Sequence, residues 1–389
     1  MNKKAFLQQF LQKRQTTNRL RTLKGFTKVS STEILWDGKR YVNFSSNDYL
    51  GLSHSSILIN AANKACEEFG SGSTSSRLVC GNSANYAKLE EKLAVWKNTE
   101  DALVFNSGYQ ANSSILPAIA NRYTDIFSDK LNHASIVDGI QLSRAKHCRY
   151  QHNDMQELKQ LLAKSTANRK IIISETLFSM DGDIVNLKEL ASIAKEHNAL
   201  LYIDDAHGSG ICGPQGRGPA WEIMSDVDIY VGTFGKALGS FGAYCACSTE
   251  MKNYLINSAR GLIYSTGLPP SVIAANIAAV ATVQTMDKSR EHLQKITTLL
   301  RSYIKKSRFK SVKSNSPIVP LIIGSEENTL KLSDHLLTRG IYSVAIRPPT
   351  IPEGTCRIRF TLSAEHTTSQ ISALIDILQS WEKDLDSEL

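Results

Sequence analysis

Asp228-Ile229-Tyr230-Val231-Gly232-Thr233-Phe234-Gly235-Lys236-Ala237-Leu238-Gly239 reads as an apolar strand that runs into a turn of small residues. The glycines let the backbone bend and let a bulky partner approach closely. One amine, Lys236, projects from that turn. A surface lysine is ordinarily a solvated charge on a flexible stem. Held between a buried strand and a glycine loop, it is easily desolvated, which lowers its pKa and makes the amine nucleophilic. Schiff-base lysines are made in this way.

Outward from this stretch, from about residue 45, short apolar runs alternate with longer periodic ones. Ala102-Leu103-Val104-Phe105, Ile171-Ile172-Ile173-Ser174, Leu200-Leu201-Tyr202-Ile203 and Ile229-Tyr230-Val231 are strand candidates, with helical candidates between them, such as 154–164 and 186–197. This alternation predicts an α/β domain with a mostly parallel sheet. Residues 271–306 read as largely helical. Ile318 to Ile323, Tyr342 to Ile346 and Arg357 to Leu362 then read as strands, and a closing helix starts near 367. The expected organisation is a basic helical arm with small strands (1–45), a large domain (46–285) and a smaller C-terminal α+β domain (286–389).

The 389 residues carry a net charge of +8, which at first suggests a nucleic-acid partner. Its location argues against one. Residues 1–32 hold eight basic residues and no acid, and the remainder balances 37 basic against 37 acidic. The arm is amphipathic, with Phe6, Leu7, Phe10 and Leu11 at helical spacing. A docking helix, a binding arm for an anionic substrate and an acid-poor transit peptide all remain open. No apolar run approaches membrane-spanning length, and no signal-peptide pattern is present. The seven cysteines are scattered and form no metal-ligand pairs, which predicts a reducing cytoplasm, no disulfides and no metal.

Ligands of open α/β sheets bind outside the carboxyl ends of the strands. After Phe105 comes Asn106-Ser107-Gly108-Tyr109-Gln110, a turn able to open a helix whose N–H groups suit a phosphate. After Ile203 comes Asp204-Asp205-Ala206-His207-Gly208, and after Ile173 come Ser174-Glu175 and then Ser179-Met180-Asp181-Gly182. Each piece alone is weak, because a strand-end acid is often a cap and a lone histidine is often structural. Gly208, Gly210 and Gly213 match a dinucleotide pattern, but Pro214-Gln215-Gly216-Arg217-Gly218-Pro219 cannot continue as the helix which that pattern needs. Gly235-Lys236-Ala237 lacks the hydroxyl residue and the glycine spacing of a P-loop. A nicotinamide-dependent oxidoreductase and a non-catalytic α/β binding protein therefore stand as competing classes.

Five stretches carry a family resemblance: Asn43-Phe44-Ser45-Ser46-Asn47-Asp48-Tyr49-Leu50-Gly51-Leu52, Asp204-Asp205-Ala206-His207-Gly208, Thr233-Phe234-Gly235-Lys236, Ile263-Tyr264-Ser265-Thr266 and Ala345-Ile346-Arg347-Pro348-Pro349-Thr350. With them the chain resembles the α-oxoamine synthases over nearly its whole length. These are pyridoxal-phosphate enzymes of the aspartate-aminotransferase-like fold (fold type I). The resemblance implies that Lys236 forms the internal aldimine and later acts as general base. Asp204 would pair with the pyridinium nitrogen, keeping the ring an electron sink. His207, with Ser179 nearby, would bond the phenolic oxygen, and His133 would stack on the ring. Ser107, Gly108, Tyr109 and Thr233 would hold the phosphate, with Ser265 and Thr266 reaching it from the partner of a homodimer.

Arg21, Asn47, His133, Arg347, Thr350 and Arg359 would bind substrate. Arg359 would clamp the amino-acid carboxylate, while Arg357, on the same strand face, reads as an exposed polar position on a half-buried strand. The implied reaction is a decarboxylating condensation of L-alanine with a pimeloyl thioester of coenzyme A or acyl carrier protein, in biotin biosynthesis. A sister activity such as glycine C-acetyltransferase is the alternative. Two departures from the family pattern are Tyr86, where many relatives carry histidine, and the less glycine-rich Gly72-Ser73-Thr74-Ser75-Ser76-Arg77.

Overall fold

Ile171-Ile172-Ile173 shows how the large sheet is specified: three consecutive β-branched residues, all fully buried. Alternating faces of a strand are both apolar only when both faces of the sheet are covered. In the computed structural model, which describes residues 3–387, this strand, Arg169–Glu175, lies within a seven-stranded sheet. The order is Asp101–Phe105, Ala243–Cys247, Ile229–Thr233, Leu200–Asp204, Arg169–Glu175, Thr124–Asp129, Lys146–Tyr150. Ala243–Cys247 alone runs antiparallel to its neighbours, and the other pairings are parallel. The sheet is thus mostly parallel, as expected. Cys245 and Cys247 are buried in it, and all seven cysteines are unpaired thiols. The helices Met155–Ala163 and Leu187–Glu196 lie where the periodicity placed them.

The chain divides into two units. The larger comprises Asp48–Ser179 and Asp183–Glu291. The smaller comprises Met1–Asn47, Met180–Gly182 and His292–Leu389. In the larger unit, Leu103, Phe105, Ile115, Ile136, Ile171, Tyr202 and Val231 belong to one buried apolar cluster joining the sheet to its helices. Each fully buried aliphatic or aromatic side chain of this kind contributes about 1.5–3 kcal/mol. The nucleotide-type glycines lead into a 3-10 turn, Pro214–Gly216, and a second 3-10 stretch, Pro219–Asp226, not into an α-helix.

The smaller unit holds two sheets. One orders Thr27–Lys28, Glu33–Trp36, Lys39–Asn43 and Ile341–Tyr342, and the other Ile318–Gly324, Cys356–Thr361 and Ala345–Ile346. The single strand expected from Tyr342 to Ile346 is therefore two short strands in different sheets, parted at Ser343-Val344. A second correction concerns Cys356–Thr361. It is the central strand of its sheet and all six residues are buried, so Arg357 does not lie on an exposed face. Arg357 is 4% exposed and donates to Asp181, to the Thr355 carbonyl at 3.1 Å and to the Met180 carbonyl at 3.4 Å. The arm folds as the helix Ala5–Thr16, and none of its residues is buried. Among the described residues no helix is long and apolar enough to cross a membrane.

One ion cluster in the larger unit has a pH signature. The His152 ring lies 3.0 Å from Asp129 through Nδ1 and 2.7 Å from Asp183 through Nε2. Burial opposes its charge, but the hydrogen bonds and attraction of the two carboxylates outweigh burial and raise its pKa to about 10. In the unfolded chain the imidazole titrates near ~6.5. A raised folded value means that the stabilisation is complete below ~6.5 and is lost as pH climbs through 10. The stability gap between wild type and His152→Gln, measured by urea unfolding, is therefore expected to narrow from about pH 6 to about pH 10. A gap that stays constant would show that His152 carries no proton-linked stabilisation.

Candidate active site

The carboxyl ends of five strands of the larger unit supply the candidate residues. Ser107 follows the Asp101–Phe105 strand and caps the Gly108–Ile119 helix, its Oγ accepting from the Gln110 N–H at 3.1 Å. At Gly108 no heavy atom lies within 4 Å of where a Cβ would stand, leaving open space at a helix N-terminus. That terminus carries a partial positive charge and suits a phosphate dianion. Tyr109 is exposed, donates to Asp138 and meets the His133 ring edge-on at 6.5 Å.

Asp204 ends the Leu200–Asp204 strand and is buried. Its Oδ2 accepts from Asn112 Nδ2 at 2.7 Å, and its Oδ1 from the Ala206 N–H at 3.0 Å. Asn112 is in turn fixed by Tyr202, whose hydroxyl donates to its Oδ1 at 2.6 Å, and by its own bond to Ser135 Oγ at 2.9 Å. His207 is buried, with Nδ1 2.7 Å from the Tyr49 hydroxyl. Neither Asn112 nor the pairing of Tyr49 with His207 was foreseen. The only sign of Asn112 in the sequence is a polar residue one helical turn beyond Gly108, amid an apolar face.

Lys236 is half-buried in its turn. The turn is closed by Gly239 N–H to the Lys236 carbonyl at 2.9 Å and Ser240 N–H to the Phe234 carbonyl at 2.9 Å. Gly239 sits at φ +65°, and a Cβ there would strike the backbone of Leu52 and Ser53. Thr233 Oγ1 donates to the Gly242 carbonyl at 2.9 Å and accepts from the Gly235 N–H at 3.2 Å. His133 caps the Ala134–Ser143 helix through Nδ1, and its backbone N–H donates to Glu175 Oε1 at 2.6 Å. Although the His133 side chain keeps solvent contact, desolvation lowers its pKa; Asp204 resists that shift and Lys236 adds to it. Burial drives Glu175 up to about 8, the Asp204 charge pushes the same way, and Lys236 opposes. A neutral Glu175 puts no like charge beside Asp204. The same two charges, Asp204 and Lys236, thus act on both His133 and Glu175.

Ser179 is half-buried in the larger unit. Within this one chain Ser265 Oγ accepts from Gln110 Nε2 at 2.9 Å, and the Thr266 carbonyl from Asn106 Nδ2 at 2.7 Å. The donor set fits pyridoxal phosphate: an amine for the aldehyde, a buried carboxylate for the ring nitrogen, an open helix terminus for the phosphate.

On the opposite face of the Leu200–Asp204 strand lies a network that the sequence did not announce. Lys97 Nζ, fully buried, donates to the Arg217 carbonyl at 2.6 Å, Tyr230 at 2.8 Å and Ser209 at 3.0 Å. It lies 3.9 Å from the Trp96 ring centre. Asp205 accepts from Thr176, Tyr230 and Ser209. Burial depresses Lys97 to about 7 and raises Asp205, and each charge resists the shift of the other. A Cβ on Gly208 or on Gly218 would run into the Asp205 carboxylate.

The remaining expected residues lie in the smaller unit. Arg359 is 7% exposed; it donates to Thr361 Oγ1 at 2.7 Å and, through both terminal nitrogens, to Asn47 Oδ1 at 3.2 Å. A groove of about 580 Å³ is lined by Arg21, Lys24, Tyr342, Arg347 and Thr350 among others. Arg21 donates to Thr350 Oγ1 at 2.8 Å. Burial and the neighbouring Arg21 charge both lower the pKa of Arg347.

Residues 39–378 match the family model for aminotransferase class I and II. The 8-amino-7-oxononanoate synthase of Geotalea daltonii is 48% identical, the alignment covering 90% of each chain. The chain belongs to the 8-amino-7-oxononanoate synthase family. A solved serine palmitoyltransferase of S. paucimobilis, with a bound PLP–myriocin aldimine, superposes with a TM-score of 0.93 at 30% identity over 99% of this chain and 98% of that one. The crystal structure of 8-amino-7-oxononanoate synthase from Francisella tularensis gives a TM-score of 0.78 at 29% identity, over 90% of this chain and 98% of that one. Membership of this synthase family makes the chain a pyridoxal-phosphate-dependent acyltransferase of the pyridoxal-phosphate-dependent transferase fold, and it sets aside the nicotinamide and non-catalytic readings.

Proposed function

We propose that the chain condenses L-alanine with a pimeloyl thioester and releases the thiol carrier, carbon dioxide and 8-amino-7-oxononanoate. The observation that carries this reading is a buried strand-end carboxylate, Asp204, held by Asn112 at 2.7 Å, together with Lys236 in its glycine turn, in a chain 48% identical to a named synthase. Bound pyridoxal phosphate supplies an electron sink for the α-carbon of the amino acid. Asp204, oriented by Asn112 and the Ala206 N–H, would hold the proton on the ring nitrogen. His207, anchored by Tyr49, would bond the phenolic oxygen, as would Ser179. His133 would stack on the ring, and the Gly108 helix terminus with Thr233 would bind the phosphate. Lys236 Nζ would hold the cofactor, take the α-proton of alanine and later return one. The new bond joins that α-carbon to the thioester carbonyl carbon as the thiol departs, and the alanine carboxylate then leaves as carbon dioxide.

Arg359, oriented by two hydrogen bonds to Asn47 Oδ1, is suited to the alanine carboxylate. Two like-charged guanidiniums in one groove, Arg21 and Arg347, suit an anionic acyl thioester, with Thr350 beside them. The exposed Leu78, Val79, Phe241 and Tyr264 of the larger unit are surface that a second copy would cover, in keeping with a homodimer. The unpaired thiols fit a reducing cytoplasm.

The test offers purified protein alanine, glycine or serine with pimeloyl-CoA, pimeloyl-acyl carrier protein or acetyl-CoA. Alanine with a pimeloyl carrier is expected to give the amino-oxo acid and one carbon dioxide per turnover. Preference for glycine with acetyl-CoA would replace this reading with the sister acetyltransferase. Arg359→Lys keeps the charge but loses the planar fork, and is expected to raise KM for alanine by about 10–100-fold, the worth of one or two charged hydrogen bonds. An unchanged KM would remove Arg359 from the carboxylate.

A further inference from the structure

Tyr86, one of the two departures from the family pattern, is 1% exposed in the first turn of the Ala84–Lys97 helix. Its hydroxyl accepts a hydrogen bond from the Leu268 N–H at 2.7 Å. Its ring lies 4.0 Å beneath the Arg77 guanidinium, which closes the second departure, the 72–77 loop. Arg77 is itself fixed by Glu90 at 2.7 Å, the Val104 carbonyl at 3.0 Å and Asn82 at 2.9 Å. The loop is stitched to the segment that Tyr86 holds. Ser76 and Thr266 form an antiparallel bridge, the Gly267 N–H donates to the Ser75 carbonyl at 2.9 Å, and Ser73 Oγ donates to the Gly267 carbonyl at 2.7 Å. A Cβ on Gly267 would come within 2.9 Å of the Tyr86 hydroxyl, so the fit is close.

We infer that Tyr86 is a positioning residue for the phosphate of pyridoxal phosphate: by locking Leu268 it fixes where Ser265 and Thr266 present their hydroxyls. The inference rests on the role that the family resemblance implies for Ser265 and Thr266, at the phosphate held by the partner of a homodimer. A phenol suits the task because its oxygen accepts while the ring packs under a cation. The two departures are on this account one device that sets cofactor retention.

Tyr86→Phe keeps the ring under Arg77 and removes only the acceptor. Dissociation constants of the full-length protein for pyridoxal phosphate and for pyridoxal, which lacks the phosphate, separate the possibilities. The expected result is binding of pyridoxal phosphate weaker by about 5–30-fold, as for loss of one hydrogen bond that orders a charged contact, with pyridoxal changed less than about 2-fold. Equal weakening of both ligands would mean general loosening, and no weakening of either would mean that the hydroxyl only fills space; each overturns the inference. Ser265→Ala is the control. If it too leaves pyridoxal phosphate binding intact, the phosphate role of that segment has failed. If it weakens binding and Tyr86→Phe does not, the positioning claim alone has failed. Hydrogen exchange at the Leu268 amide, expected to quicken in Tyr86→Phe, verifies that the bond was removed.

Discussion

Lys236→Ala is expected to lower turnover by at least about 10³-fold, because it removes both the covalent anchor and a proton-transferring base, the latter alone worth about 10²–10⁴-fold. The turn gives the amine no understudy. Its backbone is closed by hydrogen bonds on both sides of Lys236, and Gly239 holds a left-handed conformation against Leu52 that a neighbouring residue shift could not reproduce. The methyl side chain of alanine leaves this backbone intact, so the protein should fold and still bind pyridoxal phosphate without a covalent link. Borohydride followed by mass spectrometry should place a pyridoxyl group on Lys236 in the wild type and on no residue in the variant. A variant retaining a tenth of wild-type turnover would remove Lys236 from the chemistry.

Lys97→Met is expected to be among the most damaging changes to stability, at about 3–5 kcal/mol, the range for stripping one partner from a buried charge pair. Methionine fills most of the stem volume, so the loss is electrostatic more than steric. It leaves the Arg217 carbonyl and the Tyr230 and Ser209 hydroxyls without their shared donor, and Asp205 without the opposing charge that resists its protonation. Urea unfolding measures the effect. Adding Asp205→Asn should recover part of the loss, since the second change removes the stranded carboxylate, and the double variant should lose less than the sum of the singles. Strict additivity would show that the two side chains do not interact. The turn from Asp204 to Ser209 has Asp204 on one face and Asp205 on the other, so the same variant should also disturb His207.

The central strands could be read from the sequence because both faces of a parallel sheet are apolar, and runs such as Ile171-Ile172-Ile173 have no other reading. Thr124–Asp129 escaped notice although all six of its residues are buried, since Thr124, Asp125, Ser128 and Asp129 find partners that no local pattern reveals. Lys146–Tyr150 is an edge strand with polar, half-exposed residues and gives no periodic signal. Strand-end motifs placed Asp204, His207, Ser107 and Lys236 on one face because chain direction alone fixes which end of a strand is the carboxyl end. The residues that orient them were not readable. Asn112 approaches Asp204 from a helix, and Lys97 in the last turn of another helix reads as a solvated cation favoured by the helix dipole. Arg357 looked exposed because alternation reports which face a residue occupies, not whether that face is covered.

The groove lined by Arg21, Lys24, Tyr342, Arg347 and Thr350 has a practical consequence for re-engineering. Its lining comes from the arm and from residues 330–350, whereas Asp204, His207 and Lys236 are braced by a glycine-tight interior around Asp205 that tolerates few substitutions. If the groove takes the acyl thioester as proposed, a mutant library aimed at new acyl chains should spread its diversity over it and leave 204–218 untouched. On that proposal such a library leaves the residues around Lys236 unchanged, and selection for growth on an altered thioester reads chain preference.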